Sequence, residues 1–150
     1  MFLSWLWSAE LQKGNKMKHK IVIILLLQIA VWGANPPDRL LDAIEQVESG
    51  CNADAIGDNG NAIGSFQIWK IYVDDVNRIL GEDRYTYSDR LSRSLSRQMV
   101  RVYIDHYTTE KRLKREPTLE DMARNHNGGP NGYKKECTKK YWIKVKRRLK

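Results

Sequence analysis

Apolar residues recur at three- and four-residue intervals in "NPPDRLLDAIEQVESG", where Leu40, Leu41, Ile44 and Val47 share a face and predict an amphipathic helix. Asn35 reads as its cap, two prolines fall in its first turn, and Gly50 ends it. The pattern then breaks. "NADAIGDNGNAIGS" is dense in Gly, Asn and Asp, and Ala55-Ile56 and Ala62-Ile63 flank Asp58-Asn59-Gly60-Asn61, which predicts a small hairpin. Helical period returns in "FQIWKIYVDDVNRIL", with Trp69, Tyr72, Val73, Val76, Ile79 and Leu80 on one face. A further stripe from Ser88 to about Glu110 joins Leu91, Leu95, Met99, Val102, Tyr103 and His106. In "PTLEDMARNHNGGP", Thr118 and Asp121 have the spacing of a capping box. Leu119, Met122, Ala123 and His126 face inward there, and Gly128-Gly129-Pro130 stops the helix. A last helix over about Thr138 to Leu149 buries Tyr141, Trp142, Val145 and Leu149. The expected fold is mainly α, of the α+β kind, with one small β-hairpin.

The N-terminal region has a different character. From Met17, Lys18 and Lys20 precede an apolar run from Ile21 to Ala34, the pattern of a secretory signal cut after Gly33. The run is about 14 residues, short of the roughly 20 that span a bilayer. Residues 1–16 fit that signal poorly, and Met17 is an alternative start that would make them a spurious extension. Export leaves a domain over 34–150, about 117 residues, enough for one core.

The full chain of 150 residues carries a net charge of +8. Losing residues 1–33, with four Lys and one Glu, brings it to +5. The remaining Cys51 and Cys137 form an even pair in a chain read as secreted, which predicts a disulfide between them. Such a loop would add roughly 4–5 kcal/mol by chain entropy. Two free buried thiols are the alternative.

Glu48 is the residue whose position needs a reason. It stands at the predicted end of a helix, where the partial negative charge of the peptide dipoles disfavours the ionised carboxylate. Partial burial acts the same way, and a carboxyl group that keeps its proton near neutral pH can serve as a general acid. A solvated surface glutamate is the plain alternative. Asp42 and Glu45, one turn back, have no comparable setting.

Three segments resemble the lysozyme-like superfamily: Glu48-Ser49, then Gly64-Ser65-Phe66-Gln67-Ile68, then His126-Asn127-Gly128-Gly129-Pro130. The last, with Tyr141-Trp142 and Lys144-Val145 after it, is similar to the ending of invertebrate-type lysozymes, and the likeness runs from about Leu40 to Lys146. The resemblance implies a fold with the hairpin bordering a glycan cleft. It also implies cleavage of the β-1,4 bond between N-acetylmuramic acid and N-acetylglucosamine in peptidoglycan. Glu48 would then be the general acid. Ser49, Gly64, Ser65 and Gln67 would border the cleft, and His126, Asn127 and Gly128 would meet the sugar beside the acid.

Asp58, in the hairpin turn, resembles the second carboxylate of invertebrate-type lysozymes once a gap is allowed. A turn residue bonded to its own backbone is the alternative. Without Asp58 the chain would resemble lytic transglycosylases, which use a single Glu and leave anhydro ends. It departs from invertebrate-type lysozymes in having few cysteines, and from the transglycosylase-like motif in carrying His126 where that has Tyr. His126 either packs in the apolar role of that Tyr or reaches toward Glu48.

Lys134, Lys135, Lys139, Lys140, Lys144, Lys146, Arg147, Arg148 and Lys150 crowd the C-terminus. They form a solvated face or an attraction to anionic bacterial surfaces. A catalytically silent wall-binding protein and a cationic membrane-active protein are the rival readings. Nucleic acid is not expected as a partner, since no nucleic-acid module is recognisable, and a monomer is expected. His19 lies in the signal, and His106 and His126 lack partners at ligand spacing, so no metal or cofactor is expected.

Overall fold

A computed structural model describes residues 35–149. The signal segment over 1–33 and the alternative start at Met17 lie outside the described residues, as does Lys150. Among the described residues, six helices and one hairpin make the fold. α1 spans Asp38–Glu48, β1 Ile56–Gly57, β2 Ala62–Ile63, α2 Lys70–Leu80, α3 Arg93–Tyr107, α4 Glu110–Leu113, α5 Leu119–Gly128 and α6 Lys139–Lys146. The strands pair antiparallel, Ile56 with Ile63 and Gly57 with Ala62, and Ile63 also bridges to Ile68. This is the mainly α architecture with one small hairpin that the pattern predicts.

The helices converge on one core. Leu40, Leu41 and Ile44 of α1 meet Phe66, Ile68, Val73, Val76, Met99, Val100, Ile104 and Val145, all essentially without exposure. Each such side chain removed from water stabilises the fold by roughly 1.5–3 kcal/mol before chain entropy is counted. α1 packs on α6 and α5, α3 on α2 and α5, so the end of α1 is held from several sides.

Several details differ from the pattern-based expectations. Asn35 does not cap α1; Pro37 occupies the cap position, and the Asn35 amide oxygen accepts from Arg101 instead. The predicted stripe from Ser88 is two elements, a 3₁₀ turn over Tyr87–Leu91 and then α3, because Ser92 is extended and accepts from the Leu95 amide as an N-cap. That break rotates the buried face onto Val100, Ile104 and Tyr107, leaving Leu91 and His106 exposed. Trp69 sits at the cap position of α2 and is 45% exposed instead of packed. The expected disulfide is absent. Cys51 and Cys137 are both free and exposed; the Cys51 thiol donates to Gln46 Oε1, and Cys137 lies in the 3₁₀ turn Glu136–Thr138 ahead of α6.

Two polar anchors fix the elements around the hairpin and α5. The Arg90 side chain, 4% exposed, donates to the carbonyls of Tyr87, Asn61 and Ile68. Burial lowers its pKa, and the Tyr87 ring beside it acts in the opposite direction. The Arg90 carbonyl accepts from Ser96 Oγ and lies where a Cβ on Gly64 would come within 1.8 Å. Asp121 closes the predicted capping box with Thr118 and also takes two hydrogen bonds from Arg115, at 2.6 and 2.7 Å. Burial pushes the Asp121 carboxyl up, but the Arg115 and Thr118 bonds outweigh it and hold its pKa below the usual range.

Gly64→Ala should destabilise the fold by more than roughly 1–3 kcal/mol in urea denaturation, since Gly64 has φ +81° and faces a backbone oxygen. For Asp121, whose folded pKa is lowered, the stabilisation is complete above the unfolded value near 3.9 and disappears as pH falls through the folded value. Asp121→Asn should therefore cost roughly 1.5–3 kcal/mol at neutral pH. The deficit should narrow in strong acid, read as converging melting temperatures.

Candidate active site

Glu48 is the last residue of α1, and its position follows from how that helix ends. Ser49 takes over as the cap, and Gly50 and Cys51 turn away with φ of +67° and +68°. The Ser49 hydroxyl donates to the Ser65 carbonyl at 2.8 Å and accepts from the Asn52 amide at 3.0 Å, tying the helix end to the segment after β2. Glu45, one turn earlier, is fully buried, and its carboxylate is committed to a bidentate pair with Arg93 at 2.5 and 2.9 Å. Among the described residues Glu48 pairs with no Lys or Arg. Its side chain is 17% exposed and opens into a cleft of about 960 Å³.

One wall of the cleft is the hairpin and its exit, with Asp58, Ala62, Gln67 and Trp69. α2 also lines the cleft, with Ile71, Tyr72, Asp74, Asp75 and Arg78. Tyr103 and Tyr107 of α3 and the end of α5, with His126, Asn127 and then Pro130, complete it. Asp58 has φ +46° in the turn; its carbonyl accepts from Asn61, while its carboxylate has no partner among the described residues. That is not a turn residue satisfying its own backbone through its side chain. Asp54 is exposed and does not line the cleft.

The sequence-predicted residues fall into two groups. Glu48, Asp58, Gln67, His126 and Asn127 line the cleft together. Ser49, Gly64, Ser65 and Gly128 stand behind it as scaffold. Gly64 is buried against Arg90, Ser65 is fully buried, and a Cβ on Gly128 would come within 2.5 Å of Thr138 Cγ2. Gln67 does both: its amide nitrogen donates to the Ala55 and Gly64 carbonyls while the residue lines the wall.

The aromatic floor was not among the expected site residues. Tyr72 stacks on Tyr103 with centroids 3.9 Å apart, and Tyr103 in turn leans on Tyr107. Burial raises the pKa of Tyr72 well above the usual value, with Tyr103 and the Glu48 charge adding to it. Tyr141, on α6, is raised first by burial and then by Glu48, whose carboxyl group lies beside its hydroxyl. Tyr107 donates to Asp75 and accepts from Arg78, fixing the far end of the cleft. Tyr72, Tyr103 and Tyr141 fell on core faces in the sequence and Tyr107 on none, and only the one-turn spacing of Tyr103 and Tyr107 on α3 could have marked that pair. Among the described residues no group of three or more His, Cys, Asp or Glu side chains could hold a metal ion.

The Destabilase family model matches residues 38–148, the whole of this helical domain. The chain belongs to the Destabilase family. Over 111 residues it is 34% identical to Lysozyme 1 of Crassostrea virginica, covering 71% of this chain and 56% of that protein. A 47-residue stretch is 43% identical to Invertebrate-type lysozyme 6 of Caenorhabditis elegans, 31% of this chain and 34% of that one. The chain thus spans about half, or less, of the curated relatives it matches. Among solved structures, this Destabilase domain is similar to a complex of Aeromonas hydrophila PliI with Meretrix lusoria lysozyme. The TM-score there is 0.64 with 30% identity, covering 77% of this chain and 92% of that one. Tapes japonica lysozyme gives a TM-score of 0.62 with 28% identity, covering 74% and 89%. The resemblance to invertebrate-type lysozymes seen in the motifs is therefore one of family and fold.

If Ser49 braces the helix end rather than meeting a ligand, Ser49→Ala should lower stability by about 1 kcal/mol, the worth of a part-buried hydrogen bond. Chemical denaturation of the purified variant reads this directly.

Proposed function

We propose that this Destabilase-family chain is a secreted muramidase that cleaves the β-1,4 bond between N-acetylmuramic acid and N-acetylglucosamine in peptidoglycan. The observation that carries the reading is that Glu48 and Asp58 line one cleft of a lysozyme-related fold, and among the described residues neither carboxylate is paired with a Lys or Arg. Two carboxylates flanking a sugar groove are the usual equipment for glycoside hydrolysis, for which a lysozyme is the familiar type case.

In this mechanism Glu48 gives its proton to the bridging oxygen, which leaves with the electron pair of the broken C–O bond. The Asp58 carboxylate opposes the positive charge that develops at the anomeric carbon. Water then adds there and returns a proton to Glu48, so the acid is regenerated. Gln67 and Asn127 border the sugar, and the tyrosine floor gives it an apolar face. Because Asp58 lines the cleft and its carboxylate has no partner among the described residues, hydrolysis is favoured over the single-Glu transglycosylase route.

Two further parts of the reading rest on the sequence. The Lys18–Ala34 segment would direct export. The exposed cations of α6 and the residues after it, Lys139, Lys140, Lys144, Lys146, Arg147 and Arg148, would draw the enzyme to anionic cell walls in a salt-dependent way.

Glu48→Gln should reduce clearance of purified peptidoglycan at least about 100-fold, in line with general acid contributions, with an unchanged melting temperature. Asp58→Asn should also be impaired, and wild-type products should carry water-added reducing ends by mass spectrometry. Equal clearance by wild type and Glu48→Gln would exclude the enzymatic reading. Anhydro products, lighter by one water, would point to transglycosylation instead.

A further inference from the structure

The environment of Glu48 contains a second ionisable ring that the reaction described above does not use. His126, near the end of α5, has a side chain only 4% exposed, and its Nε2 lies 3.5 Å from Glu48 Oε1. Its other ring nitrogen, Nδ1, is 3.2 Å from the Tyr72 hydroxyl. The two contacts form a row running Tyr72 to His126 to Glu48, with the edge of the Tyr72 ring against the imidazole at 5.7 Å.

The direction of the row follows from satisfying each polar atom. The Tyr72 hydroxyl has no hydrogen-bond partner other than His126 among the described residues, and it is part-buried. Burial, Tyr103 and Glu48 all raise its pKa, so it keeps its hydrogen and needs an acceptor. Nδ1 is that acceptor. A neutral imidazole whose Nδ1 is bare carries its hydrogen on Nε2, and that hydrogen then faces Glu48. The reverse tautomer would leave the Tyr72 hydrogen without an acceptor.

We propose that His126 is a positioning residue whose Nε2–H engages Oε1 of Glu48, so that the acidic hydrogen of Glu48 resides on Oε2. An oxygen already accepting from Nε2–H is the poorer place for the proton, and only Oε2 remains as donor to the bridging oxygen. Once that transfer has occurred, the new carboxylate keeps its Nε2–H contact, which is stronger to an ion than to a neutral acid. The contact thus favours the state after proton transfer more than the state before it, which is how a group accelerates a chemical step. At 3.5 Å it is longer than a formed hydrogen bond, as catalytic contacts often are before substrate binds. Tyr72 acts one step further out by fixing the tautomer. This inference rests on the reading of Glu48 as the general acid.

The test has one arm that needs no activity. Long-range ¹H–¹⁵N correlation spectra of the neutral His126 ring in the wild-type protein should show the Nε2–H tautomer, with Tyr72→Phe giving a mixture. An Nδ1–H ring in the wild type would overturn the proposal. The kinetic arm uses soluble N-acetylglucosamine oligomers. His126→Phe should lower kcat roughly 10- to 100-fold with KM within about twofold, the signature of a contact made mainly in the transition state.

His126→Gln, whose amide N–H reaches the place of Nε2, should recover kcat to within about fivefold of wild type. A normal kcat in His126→Phe, or a Gln variant no better than the Phe variant, would also overturn it. Glu48→Gln run alongside separates the two levels of failure. If it retains turnover, the reading of Glu48 has failed. If it is inactive while His126→Phe is normal, only the positioning role has.

Discussion

A guanidinium buried among backbone carbonyls holds the cleft wall in place. Among the described residues Arg90 pairs with no carboxylate; three carbonyl oxygens, from Tyr87, Asn61 and Ile68, take its hydrogen bonds instead. A charge withdrawn from water needs such saturation, because an unsatisfied buried cation costs several kcal/mol. Here saturation has a geometric consequence. Asn61 belongs to the hairpin turn, Ile68 to the segment leading into α2, and Tyr87 to the 3₁₀ turn before α3, so one side chain fixes the mutual positions of three segments. Asp58 and Gln67, which line the cleft, ride on the first two.

Much of this architecture could be read from the spacing of residues, and what could not has a common cause. Thr118 and Asp121 act locally, and their capping box formed as the spacing predicts. The hairpin did so too, since its turn residues are chosen by backbone conformation. Ser92, in contrast, breaks what reads as one continuous stripe because its hydroxyl competes for a backbone amide, a local event with few sequence marks. Glu45 looks unremarkable beside Glu48 until Arg93, 48 positions later, folds against it. Motifs identified Glu48, Asp58, Gln67 and Asn127 as companions in a groove. Ser49, Ser65 and Gly128 belong to the same motifs for packing reasons, and a motif alone does not separate a wall from its foundation.

Charge is divided sharply within this basic chain. The groove carries Glu48, Asp58, Asp74 and Asp75 against Arg78, which is itself tied to Asp75. The cations crowd α6 and the turn after it, where most side chains are exposed. A molecule with such a distribution has a preferred orientation in the field of an anionic surface. The acidic groove and the basic end of the chain are different parts of the surface.

The two unbridged cysteines have a consequence for where the fold can exist. Every constraint described here is non-covalent: a packed apolar centre, a saturated guanidinium, capped helices and ion pairs between α1 and α3. No oxidant is required to reach this shape, and no reductant can dismantle it by cutting a cross-link.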